Sequence, residues 1–297
     1  MKLAIFVDTG WSIGQIYREV AAAVGAELLD WQVQYPHGFF DQFDRTLTLP
    51  HAGSTFLVTQ HGVPRDKIIL VAHAECDIQQ LLRREQGDTW GRYAGYAVVS
   101  DTLACSSLSL GITRVPTVLR QGIPCAAYGM PLPERLKTVG YAALMERTNE
   151  HGIEIKRGSL ARRAAERAGL DFKVATGLTR EQMPDFYHSV DAVILSSLQE
   201  GGAMPPYEAA AAGRLVIGTP VGDFPRLCLE GMGVLGPLND QAFEDFAVTE
   251  LLKHKSDVGL FHMYCGSIRE AARQHRDWEV VMPEWKKFIF DSCLAGK

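Results

Sequence analysis

Short apolar runs recur along the chain at intervals that suit strands alternating with helices. Residues 2–7 read as a buried strand and residues 8–12 as a turn. Residues 13–24 read as a helix, because Ile13, Ile16, Tyr17, Val20 and Val24 return at helical spacing. Further strand-like runs fall at residues 54–59, 67–72, 96–100 and 117–120, with a helical segment at 77–85. This alternation predicts a mostly parallel sheet covered by helices. Turn formers gather at residues 128–133, where a boundary is expected. A second series follows, with strands at 136–140, 153–156, 172–175, 192–196 and 215–219 and helices at 159–168, 180–189 and 206–212. The expected organisation is α/β, with two Rossmann-like domains over residues 1–130 and 131–277.

Composition narrows the class. The 297 residues are 46% hydrophobic and 22% charged, values of an ordinary globular chain, so disorder and fibrous repeats are excluded. The net charge is −5, and neither half is basic: ten basic residues stand against twelve acidic ones up to Met130, and twenty against twenty-three after it. Nucleic acid is therefore a disfavoured partner. The six cysteines are scattered without paired spacing and no apolar run approaches a membrane span, so a cytoplasmic protein without a membrane span is expected. No metal-ligand spacing is present.

The densest chemical signal runs from Ala192 to Thr219, a strand, a loop, a helix and another strand. Glu200 sits beyond the carboxyl end of the first strand, where open α/β sheets bind ligands. Gly201 and Gly202 allow close backbone approach, Pro206 suits a first helical turn, and the new helix's N–H groups would face the same crevice, a combination that favours a diphosphate. Glu208 is expected in the first turn, able to accept hydrogen bonds from hydroxyls such as those of a ribose.

Glu200 and Glu208 form an E-x7-E pair, and with the EAAAAGRLVIGTPVGDFP stretch that begins at Glu208 the sequence resembles the retaining GT-B glycosyltransferases of the glycosyl transferases group 1 (family 4-like). That large family includes sucrose and trehalose-type synthases and many lipopolysaccharide transferases. The resemblance implies two facing Rossmann-like domains, with residues 278–297 forming a helix that crosses back to the N-terminal domain. Catalysis would lie in the cleft, and a sugar would move from a nucleoside-diphosphate sugar to an acceptor hydroxyl with retention. No cofactor or metal is implied beyond the nucleotide-sugar co-substrate.

By the same resemblance Glu200 faces the reacting centre, Gly201, Gly202, Ala203 and Met204 hold sugar and diphosphate through amides, and Glu208 binds the ribose. Lys156 and Arg157 look like the family's K-G cation, whereas Tyr141 stands where the family has an arginine. Thr176, Gly177 and Leu178 fall where the family contacts the nucleobase. In the N-terminal half, Gly10, Trp11 and Gly14 resemble the family's glycine-containing loop, and His73 resembles a histidine that approaches the donor sugar. Asp8, Asp77 and, more weakly, His61 are acceptor-side candidates. Two other readings stand beside this one. A DNA-modifying glycosyltransferase would use Arg83, Arg84 and Arg92 as a basic track, and a catalytically silent protein would bind nucleotide only. Arg162 and Glu166 have the spacing of an ordinary exposed helical ion pair.

Overall fold

The structure, a computed structural model, describes residues 1–10, 12–85, 90–149 and 152–294. It divides into two units, Met1–Gly122 with Glu279–Lys297, and Ile123–Trp278. The first contains β1 (Leu3–Val7), α1 (Ser12–Val24), β2 (Glu27–Asp30), β3 (Arg45–Thr48), α2 (Ala52–Gln60), β4 (Ile68–Ala72), α3 (Glu75–Glu85), β5 (Gly95–Val98), α4 (Asp101–Ser109) and β6 (Thr117–Val118). The second contains β7 (Thr138–Tyr141), α5 (Gly158–Arg167), β8 (Asp171–Val174), α6 (Met183–His188), β9 (Ala192–Leu195), α7 (Met204–Ala211), β10 (Leu215–Gly218), α8 (Phe224–Leu229), β11 (Val234–Leu235), α9 (Asp240–Ser256) and α10 (Val258–Arg276). Helix α11 (Trp278–Leu294) belongs to the first unit from Glu279 onward.

Each unit is built on one all-parallel sheet, in the order β2-β1-β3-β4-β5-β6 and β11-β10-β9-β7-β8. Strands β1, β4, β5, β9 and β10 are buried along their whole length, as expected where helices cover a parallel sheet. In the second unit Val139, Ile194, Leu215 and Ile217 pack with Leu160 and Ala164 of α5, Phe243 and Leu251 of α9, and Phe261 and Cys265 of α10. The order of strands places a topological switch point between β1 and β3 in the first sheet, and between β7 and β9 in the second. Crevices outside the carboxyl ends of strands at such points are where open α/β sheets hold ligands.

Several elements differ from the sequence reading. Residues 54–59 lie in helix α2, not in a strand. Their hydroxyls are satisfied along the helix, with Thr55 and Thr59 each donating to the carbonyl four residues earlier at 2.7 Å. Residues 153–156 form a loop with one isolated bridge, Thr148 to Glu154, instead of a strand. Strands β2 and β3 escaped the apolar pattern because polar residues fill them, among them Thr48, whose hydroxyl donates to the Phe6 carbonyl at 2.6 Å. Residues 128–133 lie inside the second unit, where Tyr128 ends a 3-10 turn over Cys125–Tyr128 and is buried. Arg162 does not pair with Glu166 but lies over the Phe172 ring, while Arg163 and Arg167 both grip Glu244. Among the described residues no helix is long and apolar enough to cross a membrane.

Candidate active site

The switch point of the second sheet is furnished by two loops, one after β7 and one after β9, and they are stitched together. The Leu198 amide donates to the Ile155 carbonyl at 2.8 Å, and the Tyr141 hydroxyl at the end of β7 donates to the Lys156 carbonyl at 2.7 Å. Burial pushes the Tyr141 phenol up to about 12, so it remains a donor. Tyr141 is therefore a neutral group that fixes the backbone at Lys156. The Lys156 ammonium ends on Glu200 Oε1 in a direct ion pair, and the Ser197 hydroxyl donates to the same oxygen at 2.7 Å. Both side chains of the pair are largely buried, at 15% and 13% exposure.

Arg157 has a different place from Lys156. It adopts φ 50° and ψ 41°, the left-handed region, at a cost of about 1–2 kcal/mol for a residue with a Cβ. Its guanidinium repays this by donating to the carbonyls of Ser196 (2.7 Å), Ser197 (3.1 Å) and Leu238 (2.9 Å) and to Asp240 (2.5 Å). At 4% exposure, Arg157 staples the two loops, and Lys156 is the cation turned toward Glu200.

The loop after β9 is held from a third side by Gly222. Its φ of 57° suits glycine, and a Cβ there would lie 2.9 Å from the Gly201 carbonyl oxygen and 3.0 Å from the Glu200 Cβ. Helix α7 begins at Met204, two residues before Pro206, so Gly201, Gly202 and Ala203 lead directly into its start and Ala203 is the N-cap. Pro205 and Pro206 have no N–H, so of the first three helical residues only Met204 offers an amide. The expected row of helix amides is correspondingly short, which leaves more of any anion's charge to Lys156.

Glu208 is not in the first turn of α7 but one turn in, at the fifth position, and is 3% exposed. Its Oε1 accepts from the Tyr128 hydroxyl (3.0 Å) and from Arg180 (3.2 Å), and its Oε2 accepts from the Tyr187 hydroxyl (2.8 Å). Thr176, Gly177 and Leu178 are exposed beyond the carboxyl end of β8, with Gly177 at φ 67° turning the chain toward Arg180. Tyr128 and Tyr187 had no signal in the sequence, since they reach Glu208 across 80 and 21 residues.

In the first unit, Asp8 and Gly10 follow β1, with the Gly10 amide donating to Asp8 at 2.9 Å. Trp11 lies outside the described residues. Gly14 serves close packing, because a Cβ there would meet the Thr9 backbone at 2.6 Å. His73 follows β4, is buried, and shares a 3.0 Å hydrogen bond with the Tyr17 hydroxyl. Desolvation holds its imidazole down to about 3, so the ring is neutral. Asp77 accepts from the amides of His73 and Ala74 at 3.3 and 3.1 Å, yet burial pushes its carboxyl up to about 6. His61 is a core residue against the Phe40 and Phe56 rings. Arg84 turns inward onto Glu85, Tyr93 and Ser54, and so is withdrawn from the basic track that DNA binding would need.

Residues 151–254 match the family described as Glycosyl transferases group 1, a span that contains Lys156, Glu200 and Glu208. No curated protein matches the sequence. Among solved structures, Anabaena HepE in complex with UDP-glucose is similar with a TM-score of 0.71 at 11% identity, over 98% of this chain and 100% of that one. A glycosyltransferase from Rickettsia africae is similar at 0.62 and 12% identity, over 100% of this chain and 99% of that one. WaaG, a glycosyltransferase involved in lipopolysaccharide biosynthesis, is similar at 0.59 and 12% identity, over 96% and 99%. The chain thus has the GT-B fold, two parallel-sheet α/β domains, and its residues 151–254 match the glycosyl transferases group 1 description.

Proposed function

We propose that this protein is a retaining glycosyltransferase that moves a sugar from a nucleoside-diphosphate sugar to an acceptor hydroxyl. The observation that carries this reading is the Lys156 and Glu200 pair at the β7/β9 switch point, inside the span matched by the family. In this reading Lys156 leaves Glu200 to meet the donor diphosphate, together with the amides between Gly201 and Met204. Glu200 then faces the donor sugar and Glu208 holds the ribose. Arg157 positions the loops.

The acceptor oxygen bonds to the anomeric carbon on the face from which the diphosphate departs. The bond from that carbon to the phosphate oxygen breaks, and the acceptor's proton passes to the departing phosphate. The protein supplies orientation and charge stabilisation instead of a free-standing base. No metal or cofactor is assigned a step. In the first unit, Asp8, Gly10, His73 and Asp77 are the residues proposed toward the acceptor, with the neutral His73 ring offering a hydrogen bond and no charge. A cytoplasmic location belongs to the same reading and is supported by the scattered cysteines.

HepE was solved with UDP-glucose, so UDP-glucose is the first donor to test, beside GDP-, ADP- and CMP-linked sugars. The expected result is slow release of nucleoside diphosphate without acceptor, faster release with one, and a product whose anomeric configuration, read by NMR, matches the donor's. Glu200→Gln should chiefly lower turnover, and Glu208→Ala should chiefly weaken nucleotide binding. Wild-type rates from both variants at subsaturating donor would remove the site assignment.

A further inference from the structure

The surroundings of Glu208 are unusually full for a carboxylate meant to receive a ligand. A carboxylate has about four lone-pair positions. Three are taken, two on Oε1 by Tyr128 and Arg180 and one on Oε2 by Tyr187. The remaining position, on Oε2, has no donor among the described residues. The two phenols are fixtures: both are buried, and burial together with the adjacent carboxylate pushes both hydroxyls far above their ordinary range, which keeps them as donors.

Arg180 differs from the phenols. It opens the 3-10 turn Arg180–Gln182, which a capping box between Thr179 and Gln182 fixes in place. Its side chain is 25% exposed, and one N–H is spent on Glu208. The rest of its guanidinium fork has no partner among the described residues. An unfilled acceptor position and a spare set of donors thus meet at one carboxylate.

A ribose presents neighbouring 2′ and 3′ hydroxyls, each able to donate and to accept. A carboxylate with one open position can take the proton of only one of them. We propose that Arg180 is a specificity-determining residue that reads the second ribose hydroxyl, donating to its oxygen while Glu208 accepts from the first. The pair would select ribonucleotide donors over deoxyribonucleotide ones. This rests on the assignment of the second unit as the donor site.

The test is calorimetric titration of the full-length protein with UDP, 2′-deoxy-UDP and 3′-deoxy-UDP, and with the GDP or ADP series if UDP does not bind. Wild type, Arg180→Ala and Arg180→Lys are compared, with melting temperatures taken in parallel. The wild type should bind the ribonucleotide at least about tenfold more tightly than either deoxy form, the loss expected for a hydrogen bond to a charged group. Arg180→Ala should lose discrimination at one hydroxyl, keep it at the other, and melt close to wild type because Tyr128 and Tyr187 still hold Glu208. Arg180→Lys should restore part of the lost discrimination. Equal weakening of all three nucleotides in Arg180→Ala would overturn the proposal, since Arg180 would then serve only to support Glu208. No change in any of them would overturn it as well. If the wild type binds no nucleoside diphosphate at all, the donor-site assignment itself fails and the ribose proposal falls with it.

Discussion

Replacing Lys156 by methionine keeps most of the apolar stem and removes the ammonium. In the free protein the loss falls on stability. Glu200 retains the Ser197 hydroxyl at 2.7 Å, but both side chains are largely buried, so a carboxylate left without its cation costs about 3 kcal/mol of stability. With a donor bound the loss should be larger, because charge develops on the departing diphosphate beside the missing ammonium. Pro205 and Pro206 leave Met204 as the one amide among the first three residues of α7, so the other donors there are the neutral amides of the loop before it, and Lys156 is the one full positive charge assigned to the diphosphate. Loss of one donor of this kind lowers kcat by on the order of 10²–10³, or about 2.7–4 kcal/mol. The assay is nucleoside diphosphate release at saturating donor, alongside a thermal melt. The expected result is a fall of at least about a hundredfold in kcat with the melting temperature lowered by no more than about 12 °C. A variant that keeps its kcat within about threefold of wild type yet melts well below it would refute the reasoning, for Lys156 would then be a structural ion pair only.

Three further outcomes follow from the same geometry. Gly222→Ala forces a Cβ into the left-handed region and against the Gly201 carbonyl, so stability should drop by about 1–3 kcal/mol in a urea melt, and turnover should fall beyond what the unfolded fraction explains. Arg276, wholly buried between Asp223 at 2.9 Å and Glu230 at 2.7 Å, should cost about 3–5 kcal/mol when changed to methionine, since two carboxylates are left buried; a loss below about 1 kcal/mol would show that they rehydrate. His73 is held neutral to about pH 3 in the fold, whereas the unfolded chain takes up its proton near 6.5, so stability present above about 6.5 is lost as the pH falls toward 3. Asp77, pushed up to about 6, acts in the opposite sense, losing its contribution as the pH rises through 6. Comparing His73→Gln with wild type cancels Asp77, and the difference in unfolding free energy should move in the variant's favour by roughly 2 kcal/mol between pH 7 and pH 5. A flat difference would show that the ring takes up its proton within the fold.

The local features were the legible ones. The strand, loop and helix around Glu200 could be read because β9, the loop and α7 are contiguous in the chain and each has its own signal: an apolar run, paired glycines and paired prolines. Helix α7 starts two residues before the Pro206 that signals a first turn, which puts Glu208 in a buried second turn. Residues 153–156 carry an alternation, Ile153 and Ile155, that mimics a strand. Their backbone instead serves the neighbouring loop, with the Ile155 carbonyl taking the Leu198 amide. Residues 54–59 could not be told from a strand by period, because so short an apolar run fits either element. The settings of Glu208 and Arg157 were illegible for a different reason. Tyr128, Tyr187 and Asp240 come from distant segments, and a sequence read without partners cannot show that Arg157 is spent internally while Lys156 is not.

The central claim, that the β7/β9 switch point holds a nucleoside diphosphate, is tested most directly by a crystal structure of the protein grown with UDP. Diphosphate oxygens are expected about 2.7–3.2 Å from Lys156 Nζ, with that ammonium drawn off Glu200, and the ribose against Glu208 and Arg180. Nucleotide bound away from these residues, with the Lys156 and Glu200 ion pair intact, would contradict it.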